Sequence, residues 1–212
     1  MKAALARITG NAVVLFVRLI TAFRAIWDGV EPRDTQRVYY GNHSSNGDMP
    51  LIWSALPPAL REKTRPVAAA DYWLTSPVRT FLGRDVFNAV LIDRRPDART
   101  EDPMAQILAA LDEGASLIIF PEGGRNPGEG QLLPFKSGIY NIAAQRPDVE
   151  LVPVWIENLN RVMPKGKVIP IPLLCTVTFG APVRAEDGED RSAFLTRARD
   201  ALLALRPEDP DQ

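Results

Sequence analysis

Cysteine and histidine are nearly missing from this 212-residue chain, which carries one of each, Cys175 and His43. A single thiol can close no internal disulfide and supplies no thiolate metal cluster. Cys175 lies within the apolar run 171–179 and reads as a buried structural residue, so nothing points to an oxidising compartment. With one imidazole, any chemistry that needs one near neutral pH has one candidate. Excess charge is missing too: 25 basic against 26 acidic residues leave a net charge of −1, which gives no global basicity to recruit nucleic acid. There is no internal repeat, no low-complexity tract and no linker that would divide the chain. Nor is there an unbroken run of about 20 apolar residues, the length a spanning helix wants; the amino-terminal run Ala12–Val17 is stopped by Arg18. What is present is an ordinary globular balance, 46% apolar and 24% charged, long enough for one domain with a sizeable core.

The amino-terminal segment, residues 1–32, reads as an amphipathic helix. At 100° per residue Leu15, Phe16, Leu19, Ile20, Phe23, Ile26 and Trp27 share a broad face, with Arg7, Asn11 and Arg18 opposite and Arg24 at the flank. That is the pattern of a helix lying in a membrane interface, apolar face in acyl chains and arginines at headgroups. The competing reading is a helix packed on the protein's own core. A signal peptide fits less well, because Arg18 interrupts its apolar region.

After Pro32 short apolar runs alternate with helical patterns. Candidate strands are 37–41, 67–70, 89–92, 116–120, 151–156 and 175–179, several of them continuous apolar runs of the kind covered on both faces. The clearest helix is 103–113, with Asp102 as N-cap, Pro103 at the first position and Gly114 at the stop. A last helix spans about 191–205, and the tail 207–212 reads as frayed. The expected fold class is α/β: a mostly parallel or mixed central sheet with helices on both faces.

Four segments carry polar residues where such a sheet presents ligands, at the carboxyl ends of its strands. The first is Tyr40-Gly41-Asn42-His43-Ser44-Ser45-Asn46-Gly47-Asp48. Five positions apart on one helix, His43 and Asp48 would point about 140° apart. They meet only if the Ser-Ser-Asn-Gly between them folds as a turn, which its composition favours. Joined, Asp48 would fix the imidazole tautomer and His43 could deprotonate a substrate hydroxyl directly. Taken alone, Asp48 is as readily a helix cap. The second is Ile92-Asp93-Arg94-Arg95, guanidinium forks suited to phosphate or a solvated charged turn with Asp93 paired to an arginine. The third is Phe120-Pro121-Glu122-Gly123-Gly124-Arg125-Asn126, where glycine amides can face an anion and Arg125 adds a cation. Glu122 there could orient an arginine or bind a substrate hydroxyl, and Lys136, just before a helix, could add a further positive group. The fourth is Leu151-Val152-Pro153-Val154-Trp155-Ile156, whose proline suggests an edge or irregular strand and whose default role is packing.

Together these segments resemble the four ordered motifs of the glycerolipid acyltransferase family, whose best-known members are the lysophosphatidic acid acyltransferases. The resemblance runs from about Arg37 to Ala185. It implies an acyltransferase domain over 33–206, with His43 as catalytic base and Asp48 as its charge partner. It implies acceptor binding by Arg94, Glu122, Gly123 and Arg125, and an acyl-donor or structural role for Pro153. Lys136 joins the substrate-binding set on the position of its charge. The implied reaction moves an acyl group from acyl-CoA or acyl-carrier protein, as co-substrate, to a lysophospholipid hydroxyl, giving phosphatidic acid from 1-acylglycerol-3-phosphate. No metal and no further cofactor is expected, the partners are membrane lipids and the acyl donor, and the location is the cytoplasmic membrane face, peripheral or monotopic. The alternatives are another acceptor (glycerol-3-phosphate, another lysophospholipid or a lyso-aminolipid), thioester hydrolysis, and a non-catalytic lipid-binding domain. Gly124 and Asn126 stand where the family usually has Thr and Ser, and Asn88 near a usual Gly, so the reaction is better specified than the acceptor.

Overall fold

The computed structural model describes residues 1–95, 101–126, 132–159 and 174–207. The expected tail falls, beyond Pro207, outside them. In chain order the elements are helix α1 (Lys2–Thr21), strands β1 (Arg24–Trp27) and β2 (Arg37–Gly41), helices α2 (Asp48–Ala55) and α3 (Pro58–Glu62), and β3 (Thr64–Ala69). Then come α4 (Ala70–Trp73), α5 (Pro77–Thr80) continuing into wide π-type turns (Phe81–Val86), β4 (Val90–Ile92), α6 (Pro103–Asp112) and β5 (Ser116–Ile119). Helix α7 (Gly138–Gln145), strands β6 (Glu150–Glu157) and β7 (Thr176–Phe179), and α8 (Arg191–Leu203) complete the described chain.

One seven-stranded sheet has the order β1-β7-β6-β2-β5-β3-β4. All its pairings are parallel except β6 with β7, so the sheet is mixed, as expected. Period-two alternation divides the core. Val38, Tyr40, Leu117, Ile119, Leu151 and Trp155 face a layer made with Ile107, Leu111, Ile139, Ile142, Phe194 and Leu202 of α6, α7 and α8. Tyr39, Ile118, Val152, Val154 and Ile156 face the other layer, with Leu51, Ile52 and Trp53 of α2 and Val17 of α1. Helix α6 starts as its sequence dictates, with the Asp102 carboxylate accepting from Met104 and Ala105 N–H.

The amino-terminal segment departs from the expectation of one continuous helix. Helix α1 stops at Thr21, Ala22 turns left-handed (φ 42°), and Arg24–Trp27 forms an edge strand parallel to β7. The reason is a change of period. Phe23, Ala25 and Trp27 alternate toward the core, and Trp27 stacks on Phe179 at 4.1 Å with the rings 7° from parallel. Phe23 and Trp27 therefore belong to the interior rather than to a membrane face. Along α1 the small side chains turn inward: Ala6, Gly10, Val17 and Thr21 are buried, and a Cβ on Gly10 would sit 3.3 Å from Trp53. The large ones turn out, with Leu5, Ile8, Leu15, Phe16 and Leu19 all more than half exposed on one stripe. Arg7 and Arg18 fall on the flank between the two, not opposite the apolar face.

Of the two readings Pro153 allowed, an edge strand or a local irregularity, the structure shows the second: β6 lies inside the sheet between β7 and β2. The proline falls where the ladder with β7 gives out: that pairing begins at Val154 opposite Phe179, and the Pro153 carbonyl accepts the N–H of Gly180 (2.9 Å). The nitrogen of Pro153 faces the same neighbour and has no N–H to return, so the ladder stops there.

Candidate active site

Strand β2 ends at Gly41, where a side chain has no room: a Cβ would lie 3.0 Å from Ile52 and 3.1 Å from the Val154 carbonyl. The chain then leaves the sheet, and Asn42 replaces the lost ladder with its side-chain amide. Its Nδ2 donates to the Ile156 carbonyl (3.0 Å) and its Oδ1 accepts from Ile156 N–H (2.8 Å). His43 follows directly, held at a fixed height above the sheet.

The turn 44–47 brings His43 and Asp48 together. Asp48 is fully buried, and its Oδ2 accepts from Ser44 N–H (2.7 Å) and Ser45 N–H (2.7 Å) while lying 2.8 Å from His43 Nδ1. The helix-cap alternative fails, because the N-cap position of α2 is Gly47 and the Asp48 carboxylate points back into the turn. An ionised carboxylate is acceptor-only, so it selects the Nδ1–H tautomer and leaves Nε2 able to take a proton. The imidazole stacks on Phe120 (4.3 Å, 20°) and keeps 21% of its side chain exposed, enough to meet a substrate.

Strand β5 lies beside β2, and the segment after it surrounds the His43 peptide. Glu122 Oε1 accepts from His43 N–H (2.8 Å), and Asn126 N–H donates to the His43 carbonyl (2.7 Å). Glu122 Oε2 accepts from Leu133 N–H (2.8 Å). The glutamate is 4% exposed, and burial raises its pKa above the ordinary value against the lowering effect of those two N–H groups. Gly123 is left-handed (φ 69°), and a Cβ there would lie 2.6 Å from Lys136, whose own N–H donates to the Pro121 carbonyl (2.8 Å). Arg125 and Lys136 are exposed and make no ion pair among the described residues.

Arg94 sits differently from the expectation of a free phosphate fork. Its guanidinium is engaged by the Asp71 carboxylate of α4 (Nε–Oδ1 3.0 Å, Nη2–Oδ2 2.7 Å), and Asp93 pairs with Arg95 instead. That contact holds Asp71 below the usual carboxylate range. Moreover β4 is three strands from β2, about 14 Å at ordinary strand spacing, whereas β5 is its neighbour. Pro153 stands opposite Tyr40 in the sheet and packs beneath Gly180. Asn42, Phe120 and Asp71 were not anticipated. An Asn between a strand and a candidate base was a readable signal for the first; the other two depend on tertiary neighbours. Among the described residues no three of His, Cys, Asp and Glu converge as metal ligands. Burial pushes the Cys175 thiol up to about 11, consistent with an inert core residue.

Comparison with known proteins agrees with this arrangement. The chain is 30% identical over 165 residues to a 1-acyl-sn-glycerol-3-phosphate acyltransferase of Cocos nucifera, aligning 77% of this chain and 51% of that protein. It is 32% identical over 148 residues to an enzyme of the same name from Haemophilus influenzae, covering 64% and 55% of the two chains. The chain thus spans about half the length of these curated relatives. The crystal structure of a 1-acyl-sn-glycerophosphate acyltransferase from Thermotoga maritima superposes with a TM-score of 0.68 at 21% identity, over 96% of this chain and 83% of that one, and so shares the fold. A family model described as acyltransferase matches residues 29–157, from the approach to β2 through the end of β6 and including His43, Asp48, Arg94, Glu122 and Arg125; the chain belongs to the acyltransferase family.

Proposed function

We propose that the protein transfers an acyl group from a thioester donor, acyl-CoA or acyl-carrier protein, to the free hydroxyl of a lysophospholipid, with 1-acylglycerol-3-phosphate as the acceptor and phosphatidic acid as the product. The observation that carries this reading is the tethered imidazole: Nδ1 is tied to a buried carboxylate and Nε2 is left for a proton. Neutral His43 accepts the acceptor's hydroxyl proton at Nε2 as that oxygen attacks the thioester carbonyl. Asp48 stabilises the imidazolium. The tetrahedral intermediate collapses by breaking the carbon–sulfur bond, and His43 returns the proton to the departing thiolate. The products are an ester and a free thiol, and no enzyme nucleophile is consumed.

The cations support an anionic acceptor. Arg125 directly precedes Asn126, whose N–H donates to the His43 carbonyl, and the Lys136 side chain lies against Gly123, so both cations belong to the loop that surrounds the base. Arg94, three strands away and already engaged by Asp71, suits a secondary role at the rim of the acceptor or on donor phosphates. An acceptor with one acyl chain resides in a bilayer, which favours a membrane-facing enzyme. Helix α1 has the length and mean hydropathy (1.6) of a membrane-crossing helix, and it turns its large apolar side chains away from the protein. A peripheral or monotopic position on the cytoplasmic membrane face fits that stripe and the expected acyl donors. The test is an assay of the purified protein across glycerol-3-phosphate, several lysophospholipids and a lyso-aminolipid, with each donor type. Transfer confined to acceptors bearing a phosphomonoester is the expected result; equal use of acceptors without one would remove the assigned role of Arg125 and Lys136.

A further inference from the structure

Glu122 occupies a position from which a substrate contact is hard to make. It is 4% exposed, and each carboxylate oxygen already accepts a backbone N–H, one from His43 and one from Leu133, both at 2.8 Å. The two peptides belong to different parts of the site. His43 carries the imidazole, and Leu133 begins the stretch that reaches Lys136 and folds back to Pro121 through the Lys136 N–H. Neither peptide sits in the sheet, since β2 ended at Gly41 and β5 at Ile119, so no strand partner supplies these acceptors. Burying a carboxylate is costly, and burial is the leading cause of the raised pKa here. The carboxylate offers an acceptor at both ends with no donor in between, which an amide or a hydroxyl cannot match.

We propose that Glu122 is a positioning residue that acts through His43, its two oxygens fixing the distance between the general base and the Lys136 segment that meets the acceptor's anionic headgroup. The inference rests on the proposed acyl transfer for its meaning, while its geometric content is independent of substrate. Glu122→Gln turns one acceptor into an NH₂ facing a backbone N–H, so one of the two ties must open. A displacement on the order of 1 Å at a reacting group costs about 10²-fold in rate. The variant therefore loses about 10²-fold in kcat, a larger change than in acceptor KM.

The single histidine gives a readout without substrate, because a ¹⁵N-histidine-labelled sample shows one imidazole. In wild type its Nδ1 proton is hydrogen-bonded to Asp48, and in Glu122→Gln that resonance shifts and exchanges faster with water while the far-UV spectrum is retained. If Glu122→Gln does not fold, Glu122→Asp serves instead: it keeps the charge, but one methylene shorter it cannot span both N–H groups, and the same imidazole change is expected. An unaltered imidazole spectrum in a folded variant overturns the proposal. So does a raised acceptor KM at preserved kcat, the signature of direct substrate binding. If neither wild type nor variants transfer acyl groups, the functional reading fails while the imidazole spectra still decide the positioning role.

Discussion

Replacing Phe16 and Leu19 together by serine separates a lipid-facing α1 from one that serves the protein's own core. The two side chains are 59% and 71% exposed, so little protein contact is lost with them. A fully buried Leu or Phe is worth about 1.5–3 kcal/mol relative to water. Returning these exposed fractions to hydrocarbon therefore contributes roughly 1–2 kcal/mol each, or roughly 2–4 kcal/mol for the pair. That corresponds to a loss of about 30- to 1,000-fold in vesicle partitioning. Stability should change little, since exposed substitutions away from special features usually fall within about 0.5 kcal/mol. Phe23→Ser supplies the contrast, because Phe23 packs, partly buried, against the layer with Trp27 and Phe179: a loss of stability and a lowered Tm are expected. The assay is vesicle co-sedimentation over a lipid titration, paired with thermal unfolding. Activity on vesicle-embedded acceptor should fall in Phe16→Ser/Leu19→Ser and largely survive on detergent-dispersed acceptor. A double variant that unfolds early, or that still sediments like wild type, refutes the reasoning.

Further expectations concern the site and its rim. Asp48→Asn removes the acceptor shared by the Ser44 and Ser45 N–H groups and His43 Nδ1, so kcat should fall by about 10²-fold or more, with a changed imidazole spectrum; wild-type turnover would dissociate the pair from catalysis. Arg125→Ala and Lys136→Ala should each raise acceptor KM more than Arg94→Ala does, and Arg125→Lys should rescue only in part because an ammonium lacks the planar fork; a larger effect from Arg94 would reverse the assignment drawn from strand order. Arg94 depresses the Asp71 pKa, so the contact contributes stability above the ordinary carboxylate range and loses it as pH falls through the lowered value. Unfolding followed against pH should show Asp71→Asn less stable than wild type at neutral pH and converging with it in acid; a gap that widens in acid contradicts the sign. Gly41→Ala should lower Tm, as its methyl meets the Val154 carbonyl at 3.1 Å; an unchanged Tm would show that β2 and β6 can part at no cost.

Much of this molecule was readable before any coordinates. Apolar runs gave the strands from 37 to 179 because a sheet covered on both faces has no polar alternation to blur them. The turn residues between His43 and Asp48 told that the two could meet, since nothing else in Ser-Ser-Asn-Gly has a reason to form helix. Strand β1 was hidden because Phe23, Ile26 and Trp27 also fall on a helical face, and only the partner strand β7 decides between the two periods. Long-range pairings were equally closed to inspection. Asp71 meets Arg94 between the ends of adjacent strands β3 and β4, and Glu122 faces a backbone N–H distant in sequence, so the sequence could offer Glu122 only as a polar residue near a ligand. Pro153 signalled an edge or an irregularity, and only the pairing partner decides between them: its strand is interior, and the ladder with β7 stops beside it.

The central claim is that His43 is the general base of an acyl transfer to a lipid hydroxyl. Its most direct test is to incubate purified wild type and His43→Ala with a thioester donor and 1-acylglycerol-3-phosphate, and to quantify lipid product and free thiol by mass spectrometry. The account predicts phosphatidic acid and thiol in equal amounts from wild type, and turnover reduced by about 10²–10⁴-fold in a folded His43→Ala. Free fatty acid in place of phosphatidic acid, or near-normal transfer by His43→Ala, would contradict it.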